Sequence, residues 1–342
     1  MKRRKFIKIN SQFAILFSLI PTTAIESCSQ NKKNMTKNKN LDVLVVGGGP
    51  AGMNAALVFG RALMNTVIVN EEKPRNLVTQ ASHGFLTRDG FHPSEFLQVA
   101  KKQLEQYVTV NYKMDVVKQV DKTEIGFKVK TNDGTEYQTK RIVFATGYKD
   151  DLSKLGLIGI EKVYGKTVFP CPFCDGWERR NEPLALFGKD EGVGHFAKTI
   201  SNWTDDLIIF TNGKKPIRNE EKENLKKNNI KVVEQEILKL ISENGNLKEI
   251  KLADGNSIKR TGGFLFSTGE KQSTDIPAKL GVEFGDWGGT YLTNEWGKSK
   301  VDGVYIVGDA KNNFTGVIGS ASEGSYVAEM ITQEIIGERW VS

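Results

Sequence analysis

The chain has 342 residues and a net charge of +7, from 48 Lys and Arg against 41 Asp and Glu. Nine of the basic residues and one acid lie in residues 1–40, so the remainder holds 39 basic and 40 acidic residues and is electrically ordinary. That balance removes the main signature of nucleic-acid binding, and the length suits two domains.

The first residues read as a targeting segment. A basic start is followed by a short apolar run, Phe13 to Ile20, too short to span a bilayer stably. Arg3-Arg4-Lys5-Phe6-Ile7-Lys8 resembles the twin-arginine export motif, and Ile25-Glu26-Ser27-Cys28-Ser29 resembles a lipoprotein processing site with Cys28 as the acylated residue. A plain cleaved leader and a cytoplasmic protein with a basic tail are the alternatives. The expectation is a leader over residues 1–28 and a polar, flexible tether over 29–40. The body would then be exported to the periplasmic side of the cell envelope, meeting the membrane only through the leader or the lipid.

Leu41 to Val46 is a continuous apolar run, the pattern of a strand buried on both faces of a parallel sheet. It leads into Gly47-Gly48-Gly49-Pro50-Ala51-Gly52 and then the helical Met53-Asn54-Ala55-Ala56-Leu57. Strand, GxGxxG and helix in that order form the dinucleotide fingerprint. Gly47 permits the tight turn, Gly49 lets backbone approach a pyrophosphate, and Gly52 lets helix and strand pack closely. The next strand, Thr66 to Val69, is expected to end in a group that bonds the adenosine ribose, and Asn70 and Glu71 both qualify. Residues 74–90 form a polar loop that includes Arg75, Asn76 and His83. A helix follows from Pro93 with Phe96, Leu97, Ala100 and Leu104 on its apolar face. Short strands then run to Ile142-Val143-Phe144 and the turn Ala145-Thr146-Gly147.

Three cysteines are present, and Cys28 lies in the leader, so Cys171-Pro172-Phe173-Cys174 stands by itself. Two intervening residues suit a small disulfide ring and lower the pKa of one thiol. Asp175 follows directly and could move a proton to or from a thiolate. A four-cysteine zinc site is excluded. The alternatives to redox chemistry are an inert structural disulfide and a mixed metal site recruiting from His83, His92 and His195, none at finger spacing.

Leu184 to Gly188 starts a second strand–turn–helix unit. Its turn, Gly188-Lys189-Asp190-Glu191-Gly192-Val193-Gly194, has Asp190 where the fingerprint has its middle glycine. A second nucleotide-like fold is therefore expected, with nucleotide binding in doubt. His195, on the helix behind the turn, reads as packing or surface. After strands that run to Gly263-Phe264-Leu265-Phe266, Gly303 to Val307 leads into Gly308-Asp309 and a final helix from Val317 to about Ile335. Asp309 could accept hydrogen bonds from a flavin's ribityl hydroxyls, or it could simply cap the helix.

GGGPAG, ATG, CxxCDG, the second nucleotide-like unit, GD and the last helix fall in the order of the low-molecular-weight thioredoxin reductase family, which residues 41–340 resemble. Pro74-Arg75-Asn76, the His83–Gly90 loop and Cys171 to Gly176 look most like its branch with gliotoxin- and holomycin-type dithiol oxidases. The resemblance implies an α/β fold of two Rossmann-like three-layer domains. The FAD domain would be split into 41–160 and 271–342 around an NAD(P)-binding-like domain at 161–270 that carries the cysteines. It implies FAD held by Gly47, Gly49, Pro50, Ala51, Gly52, Asn70, Glu71, Arg75, Asn76, His83, Ala145, Thr146, Gly147, Gly308, Asp309, Gly316 and Val317, with no metal. It also implies a homodimer, Cys174 beside the flavin, Cys171 as the exchanging thiol and Asp175 as acid and base. Two features depart from the family pattern. Asp190 degrades the nicotinamide loop, with Thr211-Asn212-Gly213-Lys214-Lys215 in place of the basic cluster after the next strand. Thr315-Gly316 replaces the polar pair before the last helix. The expected function is two-electron exchange between FAD and a dithiol or disulfide, either a thioredoxin-fold protein or a small dithiol, without NADPH. An NADPH-dependent thioredoxin-disulfide reductase and a non-enzymatic flavin-binding module of the envelope are the alternatives.

Overall fold

The structure, a computed structural model, describes residues 40–285 and 289–341. The leader, most of the tether and Cys28 lie outside the described residues. The fold is α/β, built on two five-stranded parallel sheets, each covered on both faces. In the first sheet the strands run in the order Val304–Ile306, Ile142–Phe144, Val43–Val46, Thr66–Asn70, Val110–Met114. Alternation along each strand divides its side chains between two cores. Val43, Val45 and Ile68 pack with Ala55, Phe59, Leu104, Val327 and Ile331 of the helices Pro50–Arg61, Pro93–Leu104 and Gly316–Val341. Leu44, Val46, Val67 and Val69 face the other way, onto Val117, Val120, Phe127 and Val129 of a small four-stranded sheet.

The second sheet repeats the plan, with the order Val168–Phe169, Gly262–Leu265, Leu184–Phe187, Leu207–Phe210, Lys231–Val233. Ala185, Phe187, Ile208 and Phe210 pack against a three-stranded sheet through Leu240, Leu247 and Ile250, while Leu184, Leu186 and Ile209 pack under the helix Val193–Ile200. These are the two Rossmann-like, three-layer units expected from the sequence. The chain passes from the first to the second beside Tyr148–Lys149 and returns through Lys271–Gln272, which pair antiparallel. Val304–Ile306 then rejoins the first sheet, parallel to Ile142–Phe144.

Two elements differ from their sequence outline. The run from Leu41 to Val46 is broken at Asp42: Leu41 pairs with Thr139 of the small sheet, and only Val43–Val46 belongs to the main one. The Asp42 carboxylate accepts the Asn65 N–H at 2.9 Å and meets Arg339 at 2.7 Å, so a charged residue steps out of the strand to reach its partners. The last helix runs from Gly316 to Val341, past Ile335, because its final turns are tied down by Arg339 on Asp42 and by Glu338 on Arg141. Among the described residues no helix is long and apolar enough to cross a membrane.

Candidate active site

Val43–Val46 ends at Gly47, whose φ of 99° lies in the left-handed region that only glycine enters without strain. A Cβ at Gly47 would stand 2.3 Å from the Ala145 carbonyl oxygen, and one at Gly52 would stand 1.9 Å from the Gly47 oxygen. Gly49 differs, since a Cβ there would meet nothing within 4 Å. It is the N-cap of Pro50–Arg61, and the first-turn N–H groups of that helix have no intrahelical acceptor. Open space beside these donors is a cradle for a phosphate.

The cradle is one wall of a cavity of about 1000 Å³. Gly47, Gly49, Pro50, Ala51, Asn70, Glu71, Arg75, Asn76, His83, Ala145, Thr146, Gly147, Gly308, Asp309, Gly316 and Val317 all line it, and so do Cys171, Cys174 and Asp175. Gly52 does not line it, being packed beneath the turn. Three buried polar atoms of the lining residues, Arg75 Nη1, Thr146 Oγ1 and Gln272 Oε1, have no hydrogen-bond partner in the protein. A cavity with a phosphate cradle and buried polar atoms that lack hydrogen bonds fits a large polar cofactor such as FAD, and its volume is at the upper end of such sites, about 300–1,000 Å³.

The end of Thr66–Asn70 does not place both candidate groups alike. The Asn70 amide is engaged inside the protein: its Oδ1 accepts the Gly48 N–H at 3.1 Å and its Nδ2 donates to the Tyr112 hydroxyl at 2.8 Å. Glu71 keeps a carboxylate on the cavity wall, held below the ordinary carboxylate range by its hydrogen bond to Lys73 and by the nearby charges of Lys149 and Lys118. Arg75 donates through Nε and Nη2 to Asp150 Oδ1 at 2.9 and 2.7 Å, and through Nη2 to Thr268 Oγ1 at 3.3 Å. Its Nη1 stands 3.6 Å from Asp309 Oδ2. Asp309 Oδ1 meanwhile accepts the N–H and the hydroxyl of Thr315, at 3.0 and 2.8 Å, just before the last helix begins at Gly316. One carboxylate thus holds the helix entrance and presents its second oxygen toward the cavity.

Cys171 and Cys174 form a disulfide on the cavity wall, with Cα atoms 5.3 Å apart. Cys171 is the N-cap of the short helix Pro172–Asp175, and the Cys174 N–H donates to its sulfur at 3.2 Å. Asp175 is buried and its pKa is pushed up to about 7, chiefly by desolvation, with Glu178 adding to the rise while His83 and Arg179 oppose it. His83 completes this corner, with ring nitrogens 3.6 Å from Asp89 and from Glu178. Phe173 on this helix and Trp177 just past its end are exposed.

The second strand–turn–helix lies elsewhere. Asp190 and Glu191 are exposed in its turn, Lys189 donates to the Lys154 carbonyl at 3.1 Å, and Gly192 at φ 93° caps Val193–Ile200. A third carboxylate comes from the helix Asn219–Lys227: a Cβ on Gly194 would stand 2.5 Å from Glu221 Oε1. His195 is exposed on the helix Val193–Ile200 and lines no part of the cavity. Reading the sequence missed Asp150, Tyr164 and Thr268 around Arg75, as well as Tyr112 and Glu221. No local motif marks them, because their partners lie between 14 and 193 residues away.

Comparison with known proteins adds three findings. The family described as pyridine nucleotide-disulphide oxidoreductase matches residues 41–326. A probable thioredoxin reductase of Arthroderma benhamiae is 29% identical over 303 residues, covering 80% of this chain and 74% of its own. The solved structures of TrxB from Bacillus anthracis and of an oxidoreductase from Agrobacterium tumefaciens superpose with TM-scores of 0.83 and 0.80. Their identities are 34% and 27%, and each match covers 87% of this chain and 99% of the other.

Proposed function

Because the chain belongs to the pyridine nucleotide-disulphide oxidoreductase family, as an FAD-dependent enzyme of thioredoxin-reductase type, we propose that it exchanges two electrons between FAD and a substrate dithiol or disulfide through Cys171–Cys174, without NADPH. The observation that carries the second half of this reading is the second nucleotide turn. A dinucleotide pyrophosphate needs a glycine turn and helix N–H groups free of competing negative charge. Here Asp190 and Glu191 stand in the turn and Glu221 presses on Gly194. Carboxylates about 4 Å from a phosphate repel it by on the order of 1 kcal/mol each when exposed, roughly one decade of affinity or less after screening.

FAD, when bound along the cavity, supplies a two-electron acceptor or donor for the cysteine pair. The remaining roles fall to this chain. Gly49 and the first turn of Pro50–Arg61 hold the pyrophosphate, Glu71 binds the adenosine ribose, and Arg75, Asp309 and the entrance of the last helix hold the rest. A substrate thiolate attacks one sulfur of the disulfide, the S–S bond breaks, and a mixed disulfide and one cysteine thiolate form. The second substrate thiolate then displaces the protein sulfur, leaving an oxidised substrate and two reduced cysteines. The same steps in reverse begin with attack by Cys171, whose developing thiolate is favoured by the Cys174 N–H. Asp175, with its pKa near neutrality, takes up and returns the proton. We assign the exchange to Cys171 and the flavin-facing place to Cys174.

The leader motifs support export with FAD already bound, anchorage at Cys28 and a site beyond the cytoplasm, where NADPH is not expected. Substrates of thioredoxin-fold or small-dithiol type and a homodimer are part of the same reading. The test is anaerobic mixing of the purified holoprotein with millimolar NADPH, NADH or a dithiol, followed at the flavin absorbance. Bleaching by the dithiol alone is expected. Bleaching by NADPH within about a second, an ordinary enzyme turnover time, would restore an NADPH-fed reductase. That second reading is favoured by Lys214 and Lys215, exposed beyond the end of Leu207–Phe210 where a nucleotide phosphate could pair with them.

A further inference from the structure

The peptide between Gly47 and Gly48 is pinned on both sides. Its carbonyl packs against Gly52, where even a Cβ would collide, and its N–H is held by Asn70 Oδ1. Asn70 is itself held, since its Nδ2 donates to the Tyr112 hydroxyl at 2.8 Å. That hydroxyl donates onward to Glu72 Oε1 at 2.8 Å, which also accepts from Lys101 Nζ at 2.8 Å. Lys101 in addition lies 4.4 Å from the centre of the Tyr112 ring.

This chain of bonds has one direction. An ammonium can only donate and a carboxylate can only accept. The Tyr112 hydrogen therefore goes to Glu72, its oxygen accepts from Asn70, and the amide oxygen of Asn70 is left facing Gly48. Hydrogen bonds from Lys101 and Tyr112 keep Glu72 below the ordinary carboxylate range, as this ordering requires. Glu72 has a φ of 59°, a left-handed backbone state that is costly for a residue with a side chain and that persists only where the surroundings impose it. A long relay from the helix Pro93–Leu104 thus ends on the turn that faces the cofactor cavity.

We propose that Tyr112 and Glu72 are positioning residues for the phosphate-binding turn, acting through Asn70 to fix the Gly47–Gly48 peptide. This rests on FAD as the occupant of that cradle. Asn70 takes the place where a ribose ligand is expected and serves as a brace instead, which leaves the ribose to Glu71.

The test is FAD release from the full-length holoprotein by equilibrium dialysis, in the absence of any thiol or nicotinamide, so that it stands apart from the test of the reaction. Tyr112→Phe keeps the ring beside Lys101 and removes only the hydroxyl. Its FAD dissociation constant is expected to rise by about tenfold, the effect of breaking the relay at the hydroxyl that accepts from Asn70 and donates to Glu72. Glu72→Leu is expected to match it, and the double variant to be no worse than either single one, because both break the same relay. The urea midpoint of the FAD-free protein is expected to fall only slightly, because the lost bonds are partly open to water. An unchanged dissociation constant with a lowered midpoint would make the network ordinary packing and overturn the proposal, as would losses that multiply in the double variant. Lys101→Met, on a partly exposed helix face, guards against misfolding: a loss of about two- to threefold is expected, and none would count against the relay.

Discussion

Asp175 keeps its proton up to about pH 7 because burial disfavours the carboxylate, from an ordinary value of 3.8. Between those values the folded protein holds a proton that the unfolded chain has released, so stability falls as pH rises through this window, by up to about 4 kcal/mol in all. Asp175→Asn cannot ionise. Relative to wild type it is expected to gain stability from pH 4 to pH 8, read as a diverging urea midpoint. Its exchange rate is expected to drop by about 10²-fold, with loss of the inflection near pH 7. An inflection retained in the variant would assign the proton to another group. Cys171, Cys174 and Asp175 were legible in the sequence because they are contiguous and their chemistry follows from spacing. Asn70 was read only as a ribose ligand candidate, because its place after the strand was visible and its bonds to Gly48 and Tyr112 were not.

The helices Pro50–Arg61 and Gly316–Val341 meet backbone to backbone at Gly324, where a Cβ would stand 2.0 Å from the Ala51 carbonyl oxygen. Both helices start at the cavity, so their spacing sets the distance between the phosphate cradle and the entrance at Gly316. Gly324→Ala is expected to cost about 1–3 kcal/mol and to lower the flavin-to-protein ratio. Gly337→Ala, in the same helix with nothing within 4 Å, is expected to be neutral or stabilising by up to about 1 kcal/mol. Thermal unfolding with flavin content checks both, and equal effects would refute the spacing role. The parallel strands and the helices were legible from apolar runs and glycine turns. The break at Asp42 and the extra turns after Ile335 were not, since they depend on ion pairs between residues 297 and 197 positions apart.

At the scale of the whole molecule, the order of the motifs revealed two nucleotide folds with one divided by the other. The sequence could not show that Arg75 would gather Asp150, Thr268 and Asp309 from three distant segments, because only the closed fold brings them together. The leader lies outside the described residues and is testable in cells. Arg3 and Arg4 changed together to Lys are expected to strand a yellow, FAD-loaded protein in the cytoplasm, and Cys28→Ser to release it from membranes. Fractionation that finds either variant where wild type resides would remove that part of the proposal. The ribbon of Tyr148–Lys149 with Lys271–Gln272 has a further consequence for descent. Facing residues of an antiparallel pair stand about 5 Å apart, so residues 150–270 leave and re-enter through one doorway. A gene can gain, lose or exchange such a cassette without displacing its host's strands. The glycine turn of the cradle belongs to the host and the cysteines to the cassette, so replacing the cassette would change the thiol chemistry while leaving that turn in place.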